Sequence, residues 1–267
     1  MKISEILEVV ERMAPLSFQE EYDNAGIQVG AVGAGGCPAD PECTGVLVTL
    51  DVNEAVVDEA VAGGCNLILA HHPLIYKPLH EVTGQYWQQR CVIKALCHGV
   101  AIYSAHTNLD NAEGGVNWKI AEILGLQDVR WLLPKGNGCG SGAVGVFPEP
   151  VRDSDFLKIV QDRFSVECVR HTALDGRFVR TVALCGGSGA SLVGAAREAG
   201  ADCYVTGELG YHQFFDAEGL QLYALGHYQS EQFTMDLLIG ILRRELPMLR
   251  IAHTSLITNP ICYSCFR

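Results

Sequence analysis

The sequence predicts an α/β fold of two similar lobes, each a mostly parallel or mixed sheet flanked by helices. Short apolar runs alternate with helical segments, as they do when a parallel sheet is covered on both faces. A similar succession of elements recurs in the second half of the chain. In both halves, strands run directly into histidine, aspartate or glutamate residues.

Apolar spacing and turn residues predict the elements of the first half. Asn53 is a predicted N-cap, Gly63-Gly64 ends the helix that follows it, and Gly125 is a predicted C-cap. Ser4 is the predicted N-cap of the first helix. In chain order we predict a helix at 4–13, a strand at 27–29, a loop at 31–43, a strand at 46–50, a helix at 53–62, a strand at 67–70, a helix at 86–97, a strand at 100–104 and a helix near 115–124.

An apparent repeat relates the two halves. The run 67–72 follows a helix that ends at Gly64, and the run 203–208 follows one that ends at Gly200, so the offset is 136 residues (200 − 64). Any two strand–helix–strand units look alike at this level, so this match alone leaves the question open. A strand that runs into His-x-x-x-carboxylate also occurs in both halves, at 106–110 and 227–231, which favours a true duplication.

The glycine-rich stretch 135–142 is the predicted seam between the lobes. It carries a glycine at every second position, which is typical of a turn or linker. We therefore place the first lobe at 1–130, completed by the C-terminal segment 245–267, and the second lobe at 131–244.

Composition argues against several classes of protein. The formal charge of -12 at pH 7 disfavours direct binding to nucleic acid. No apolar run approaches the ~20 residues of a membrane span, and the start lacks the apolar core of a signal peptide. We therefore expect a soluble, cytoplasmic protein without membrane association. The 11 cysteines include the pairs Cys37/Cys43 and Cys262/Cys265, which are weak zinc signals.

Polar residues at the strand ends form the candidate site, because ligands of open α/β sheets bind beyond the carboxyl ends of the strands. Imidazole and carboxylate ligands together suit zinc, iron, manganese or nickel, whereas calcium prefers oxygen alone. The candidates are His71, His72, His106, Asp110, Glu208, His227 and Glu231.

The adjacent histidines His71 and His72 are the strongest single signal. Neighbours on a regular strand face opposite ways, so both rings reach one site only where the strand has ended, and Pro73 enforces that ending. Two diverging rings suit two metal ions better than one, and Asp110 or Glu231 could bridge such a pair. A lone histidine at a strand end is more often a structural hydrogen-bonding residue. The two His-x-x-x-carboxylate segments favour the metal interpretation.

The glycine-rich segment 185–191 follows a strand and opens a helix, so its amides could hold an anion. It lacks the Gly-Lys-Ser/Thr of a P-loop and the spacing of a dinucleotide-binding fingerprint. Close packing of strand against helix is the favoured explanation, and phosphate binding is the alternative.

Six segments in order carry a family resemblance. They are Asp23-Asn-Ala-Gly-Ile-Gln-Val-Gly30, His71-His-Pro-Leu-Ile-Tyr-Lys-Pro-Leu79, Ser104-Ala-His-Thr-Asn-Leu-Asp110, Cys185-Gly-Gly-Ser-Gly189, Thr206-Gly-Glu208 and Gly226-His-Tyr-Gln-Ser-Glu231. Together they resemble the NIF-three-like family of dinuclear metal proteins, often labelled GTP cyclohydrolase 1 type 2 homologue. The resemblance covers residues 1 to about 260.

The resemblance implies a metal site in the cleft between two similar lobes, and a toroidal homohexamer whose sites face an internal cavity. It also implies two divalent metal ions per chain, with Zn, Fe, Mn and Ni all open. The implied metal ligands are His71, His72, Asp110, His227 and Glu231, with His106 supporting them from outside the ligand set.

Two functions of different classes stay open. In the first, water activated by the metal attacks an electrophilic carbon of a nucleotide or other small molecule, such as C8 of GTP, and opens the ring. Glu208 or His212 would then move protons. In the second, the hexamer handles metal ions as cargo, like a metallochaperone, or binds a regulatory partner. The sequence supplies no guanine-reading pocket that would decide between them.

Overall fold

The structure, a computed structural model, describes residues 1–30 and 40–264. Most of the loop predicted at 31–43 lies outside this range, as do Cys37 and Cys265 of the two cysteine pairs. Contacts divide the chain into two compact units. Unit 1 consists of Met1–Leu109 and Thr234–Pro260, and unit 2 consists of Asp110–Phe233 with the residues from Ile261 onward.

The described residues form short strands and helices in alternation through much of the chain. The helices are α1 (Ile3–Met13), α2 (Glu54–Ala62), α3 (Trp87–Cys97), α4 (Thr107–Asp110), α5 (Val116–Leu124), α6 (Asp153–Phe164), α7 (Val193–Glu198), α8 (His227–Glu231) and α9 (Thr234–Glu245). The strands are β1 (Gly26–Val29), β2 (Val46–Thr49), β3 (Leu67–Ala70), β4 (Ala101–Ser104), β5 (Gln127–Gly136), β6 (Cys139–Arg152), β7 (Arg170–His171), β8 (Phe178–Cys185), β9 (Cys203–Thr206), β10 (Gln221–Ala224) and β11 (Ile251–His253). Short 3-10 turns lie at Leu16–Phe18, Ala190–Leu192 and Tyr211–Ala217.

Unit 1 is built on a five-stranded sheet in the order β1-β4-β3-β2-β11. β4, β3, β2 and β11 run parallel, and β1 is antiparallel to β4. Ala70 is level with Thr49 on one side and with Ser104 on the other. The carboxyl ends of β2, β3 and β4 therefore lie side by side, so the residues that follow each strand share one edge of the sheet.

The unit 1 sheet is apolar on both faces. Ile68 and Ile102 pack with Val56 and Ala60 of α2 and with Cys91 of α3 in one buried cluster. The alternate strand residues are buried as well, and the remaining helices α1 and α9 pack against each other, with α9 also contacting β2 and β11. Burial on both faces explains why these strands read as continuous apolar runs rather than as alternating ones.

Unit 2 is built on a six-stranded sheet in the order β5-β6-β8-β9-β10-β7. β8, β9 and β10 are parallel, whereas β5, β6 and β7 pair antiparallel with their neighbours. One buried cluster joins α7 to the sheet through Val193, Ala196, Tyr204 and Leu222. Both α5 and α6 also contact β8 and each other.

The predicted α/β class with two similar lobes is confirmed. β3 lies between its parallel neighbours β4 and β2, and β9 lies between its parallel neighbours β8 and β10. The first residues of these two strands, Leu67 and Cys203, are 136 positions apart (203 − 67). The offset seen in the sequence therefore relates two strands that each pair with a parallel strand on both sides.

The stretch 135–142, predicted to be the seam, forms the end of a hairpin inside unit 2. β5 ends at Gly136 and β6 begins at Cys139, so Asn137-Gly138 is a two-residue turn. Both turn residues have positive φ, 52° and 77°, as the hairpin turns that match strand twist require. The chain instead crosses between the compact units after Leu109, after Phe233 and after Pro260.

Helix ends were predicted with mixed success. Asn53 caps α2, since its side chain accepts a 3.0 Å hydrogen bond from the Val56 amide, and Gly125 ends α5 with φ at 71°, so both predictions are confirmed. The prediction that Ser4 is an N-cap is wrong. It lies inside α1, and its hydroxyl donates to Asp40 Oδ2 at 2.6 Å.

Within the two described ranges, no helix combines the length and the apolar character that crossing a membrane would demand.

Candidate metal centre

Three histidines of unit 1 cluster at the carboxyl edge of its sheet. His71 and His72 follow β3, and His106 follows the neighbouring strand β4. Each ring contributes one nitrogen to a group of three, and these three nitrogens all lie within 4.8 Å of one another. The ring centroids are 4.8 Å apart for His71 and His72, and 5.3 and 5.6 Å from these to His106.

The backbone beyond β3 explains how two adjacent rings reach one place. The amide of His71 donates to Thr49 O at 3.2 Å and that of His72 donates to Leu50 O at 2.9 Å, so both residues stay attached to the end of β2. Regular strand structure nevertheless ends at Ala70. The His71 ring is fully buried, and its Nδ1 is 2.7 Å from Ala105 O.

Asp51 holds the second ring. It lies just beyond β2, and its Oδ1 is 2.7 Å from His72 Nδ1. Its other oxygen accepts a 2.7 Å hydrogen bond from the Thr258 hydroxyl. Burial by itself raises the pKa of the Asp51 carboxyl, but the hydrogen bonds and charge of these partners outweigh it, so this pKa lies below its usual value.

Asp23 holds the third ring in the same way. Its Oδ1 is 2.7 Å from His106 Nδ1, and its Oδ2 accepts hydrogen bonds from the Thr107 hydroxyl and, at 3.1 Å, from the Thr107 amide. The Asp23 side chain is fully buried. Burial raises the pKa of this carboxyl, yet the bonds from His106 and Thr107 lower it overall to about 2.

In unit 2, His227 and Glu231 are the first and last residues of α8 and face each other one turn apart. His227 Nε2 is 3.1 Å from Glu231 Oε2, and the Glu231 side chain is almost completely buried. On its other side, His227 Nδ1 is 3.3 Å from Oε2 of Glu208, a half-exposed residue that follows β9. The helical turn predicted after the strand thus brings the imidazole and both carboxylates together.

The glycine-rich segment packs against this helix. A Cβ on Gly187 would lie 2.5 Å from Glu231 Oε1, and one on Gly186 would lie 3.1 Å from Glu231 Cγ. The Gly187 amide donates to Ser230 Oγ at 3.0 Å, and the Gly189 amide donates to Thr206 Oγ1 at 3.1 Å. Since side chains of unit 2 already occupy these amides, the contacts support the packing explanation over phosphate binding.

Asp110 is tied to the same segment through Asn117. The Asn117 side chain donates to Asp110 O at 2.9 Å and accepts from the Gly186 amide at 3.0 Å. Asp110 is the last residue of α4 and is half-buried. One side chain on α5 therefore fixes the backbone of a predicted ligand and the loop that touches Glu231.

His212 lies in the 3-10 turn Tyr211–Ala217. Its ring packs against those of Tyr211 and Phe215, with centroids 5.4 and 6.5 Å away, and all three residues are largely exposed or half-exposed. Its role in proton transfer stays a prediction.

Comparison with known proteins assigns the family. Residues 1–260 match the family described as Duf34/NIF3 (NGG1p interacting factor 3). The chain belongs to the Duf34/NIF3 family.

Relatives of this Duf34/NIF3 protein span it almost completely. A protein of Lactococcus lactis subsp. lactis named GTP cyclohydrolase 1 type 2 homolog is 37% identical over 238 residues, which is 87% of this chain and 88% of the relative. NIF3-like protein 1 of Drosophila melanogaster is 30% identical over 253 residues, 92% of this chain and 83% of its own. The crystal structure of Staphylococcus aureus hypothetical protein SA1388 superposes with a TM-score of 0.89 at 25% identity and covers 99% of both chains.

The donors in this Duf34/NIF3 chain fit a divalent transition metal. Unit 1 offers imidazole nitrogens whose Nδ1 atoms are fixed by backbone or carboxylate oxygen, the usual arrangement behind metal-ligating histidines. Unit 2 offers an imidazole with two carboxylates. Nitrogen and oxygen donors together suit zinc, iron, manganese or nickel.

Sequence reasoning missed the residues that hold these donors. Asp51 is the second residue after a parallel strand, as His72 is after β3, so the strand-end rule could have found it. Asp23 opens the first of the six family-like segments, which was a second available signal. Asn117 and Ser230 carry no such signal, because a single polar residue on a helix has many ordinary roles.

Proposed function

We propose that this protein binds two divalent metal ions per chain and acts in the cytoplasm as a metal-dependent hydrolase on a nucleotide. The proposed ligands are His71, His72, Asp110, His227 and Glu231. The observation that carries the proposal is the histidine cluster of unit 1, in which three ring nitrogens lie within 4.8 Å of one another. Imidazole nitrogens gathered in this way are the donors that zinc, iron, manganese and nickel bind in proteins.

The two units supply complementary donors. Unit 1 contributes neutral nitrogen through His71 and His72, and unit 2 contributes carboxylate oxygen through Asp110 and Glu231 besides the nitrogen of His227. Carboxylates are the groups that bridge paired cations, because each has two oxygens.

The metal ions, when bound, would supply Lewis acidity that polarises an electrophilic carbon and activates a water molecule for attack. The remaining chemistry belongs to the chain. Buried Glu231 contacts Nε2 of His227, while half-exposed Glu208 contacts Nδ1 of the same ring at 3.3 Å. Glu208 is thus the carboxylate best placed to take up or release a proton at the solvent side.

The substrate class is the part of the proposal that depends on relatives. Curated relatives carry the name GTP cyclohydrolase 1 type 2 homolog. A ring opening at C8 of GTP needs an activated water and an electrophilic carbon, which is the chemistry described above. A nucleotide is therefore the first substrate class to test, with GTP as its first member.

Metal content and turnover test the proposal together. Protein purified without added chelator should contain about two divalent ions per chain by elemental analysis, and GTP should disappear in a metal-dependent reaction followed by chromatography. His72→Ala should abolish the turnover of GTP and should lower the number of metal ions per chain. His98→Ala is the matched control, because His98 is exposed at the end of α3 and its ring bonds to the carbonyl of nearby Lys94.

Two results would redirect the proposal. If the protein holds metal but turns over no nucleotide, while the metal transfers readily to an acceptor protein or chelator, the metal-handling function replaces the hydrolase. If the protein as purified and after reconstitution holds no metal, the site itself is refuted. Light scattering on the same samples tests the homohexamer that we propose from the family resemblance.

A further inference from the structure

Two histidines of unit 1 are held by hydrogen-bonded chains of the same composition. In the first chain, the Thr258 hydroxyl donates to Asp51 Oδ2 at 2.7 Å, and Asp51 Oδ1 is 2.7 Å from His72 Nδ1. The three residues come from the segment after β11, from the loop after β2 and from the loop after β3. We call this chain the 258–51–72 relay.

The second chain repeats the order threonine, aspartate, histidine. The Thr107 hydroxyl donates to Asp23 Oδ2, and Asp23 Oδ1 is 2.7 Å from His106 Nδ1. Asp23 belongs to the turn before β1, far from β2 and its loop in sequence. We call this chain the 107–23–106 relay. The two relays share no residue, yet their rings meet with centroids 5.6 Å apart.

We propose that Asp51 and Asp23 are positioning residues, which set the ring orientation and the tautomer of His72 and His106 so that Nε2 of each is directed to the metal site. This proposal rests on the proposed function, because positioning the two rings matters only if metal ions bind there. It goes further by assigning a task to two carboxylates and two threonines outside the proposed ligand set.

The chemistry of a carboxylate gives the tautomer. An ionised carboxylate only accepts hydrogen bonds, so the Nδ1 that faces it must carry the proton. In a neutral imidazole the lone pair is then on Nε2, which is the form that ligates a metal. On its other oxygen each carboxylate accepts a hydrogen bond from a threonine hydroxyl, that of Thr258 for Asp51 and that of Thr107 for Asp23.

The threonines give the relays their rigidity. A carboxylate with one partner can rotate about its last bond, whereas one with both oxygens engaged holds a single plane. Asp51 has both oxygens engaged in this way, and so has Asp23. His71 needs no such relay, because the Ala105 carbonyl, a backbone group, fixes its Nδ1 at 2.7 Å.

The first experiment reads the tautomer in metal-free protein. Long-range proton–nitrogen NMR should show His72 in the Nδ1–H form, and Asp51→Asn should shift this ring to the other tautomer or to a mixture, because an amide can also donate to Nδ1. The His71 signal should not change in this variant. Asp23→Asn should alter His106 alone. An unaltered tautomer at His72 in Asp51→Asn would overturn the proposal.

The second experiment measures affinity for zinc by competition with a chelator. Asp51→Asn should weaken binding about ten- to a hundredfold, the usual effect of losing an outer partner of a metal-ligating histidine. Thr258→Val should weaken it less, since it removes only the support of the carboxylate. Asp23→Asn should have the smaller effect of the two aspartate variants, because His106 lies outside the proposed ligand set.

Asp58→Asn is the matched control, because Asp58 is exposed on α2 and pairs with the Lys94 ammonium at 2.8 Å. It should change neither the tautomers nor the affinity. Equal affinities of Asp51→Asn and Asp58→Asn would contradict the positioning role. Failure of the proposed site looks different, since the wild-type protein would then bind no zinc while the NMR experiment on metal-free protein still reports on Asp51 and Asp23.

Discussion

The backbone of Gly187 lies directly against the carboxylate of Glu231. A Cβ at this glycine would be 2.5 Å from Glu231 Oε1 and 3.1 Å from His227 Nε2. The φ of Gly187 is also positive, at 57°, a conformation that other residues adopt at a cost. The glycine is therefore required twice, by the close approach and by its backbone conformation.

Gly187→Ala should damage unit 2 and the proposed metal site together. The methyl group would push the Glu231 carboxylate away, so we expect weaker metal binding. The strain and overpacking should also lower the free energy of unfolding by about 1–3 kcal/mol. Denaturant unfolding and metal competition measure the two effects.

Gly194→Ala is the control for this substitution. Gly194 lies within α7, and a methyl group added there would meet no other part of the described chain within 4 Å. Alanine is the better helix former, so this variant should be as stable as the wild type or more stable by about 0.5–1 kcal/mol. Similar behaviour of the two alanine variants would show that Gly187 is not constrained by Glu231.

Metal binding should stabilise the folded protein. A ligand present at ~100 times its Kd adds about 2.7 kcal/mol, which raises the Tm of a chain of this size by about 5–10 °C. Treatment with a chelator should remove this increment, and zinc or manganese should restore it in a thermal melt.

Glu231→Gln should show a smaller rise in Tm with metal, because the amide is a neutral and weaker ligand. Glu198→Gln, at an exposed carboxylate on α7, should keep the full rise. If Tm is the same with metal and with chelator in the wild-type protein, the proposed site does not bind these ions.

The clustering of the three histidines of unit 1 could be predicted, because parallel strands place their ends together. The apolar run Leu67–Ala70 predicted a buried strand, and its pairing with β2 and β4 brings the residues after each strand to one edge. Adjacent His71 and His72 stood out in the sequence because they directly follow this apolar run. The strand end lets both rings reach one place, and contacts of their Nδ1 atoms with Ala105 O and Asp51 Oδ1 then hold them there.

The parts that failed depend on contacts between distant segments. Ser4 resembles a cap in its local sequence, but its hydroxyl bonds to Asp40, 36 positions away. The glycines around Asn137 resemble a linker, yet they form a hairpin turn because β5 and β6 pair beside them. Asp23 and Thr258 reach the histidine loops only through the folded sheet, so no local spacing reveals them.

Stability of unit 1 should fall at acidic pH partly through Glu59. This residue of α2 accepts hydrogen bonds from the Thr254 hydroxyl and, at 2.7 Å each, from the amide and the hydroxyl of Ser255. Burial raises the pKa of Glu59, but these bonds outweigh it and hold the pKa below the ordinary 4.5.

The direction of the effect follows from the lowered pKa. The contribution of Glu59 to the stability of the folded protein is fully present above the pKa that this carboxyl has in the unfolded chain. It is lost as the pH falls through the lower pKa of the folded state. Glu59→Gln should therefore be less stable than the wild type near neutral pH and should lose less stability between about pH 5 and about pH 3. Urea midpoints over this range test the slope. Glu8→Gln, at an exposed residue of α1, is the control and should show the same dependence of stability on pH as the wild type. If Glu59→Gln shows this wild-type dependence as well, Glu59 is not a cause of the loss of stability at acidic pH.

Ile68 connects the core of unit 1 to the histidine loop, since it is fully buried in β3, two residues before Ala70. Ile68→Ala would leave a cavity under α2 and α3, which should lower the free energy of unfolding by about 2–5 kcal/mol. Because β3 carries His71 and His72, the same variant should bind metal more weakly at temperatures where it is still folded. Ile93→Ala, at an exposed position of α3, removes the same atoms without a buried cavity and should cost far less. Equal losses of unfolding free energy in the two variants would show that the buried side chain of Ile68 stabilises unit 1 no more than the exposed side chain of Ile93 does.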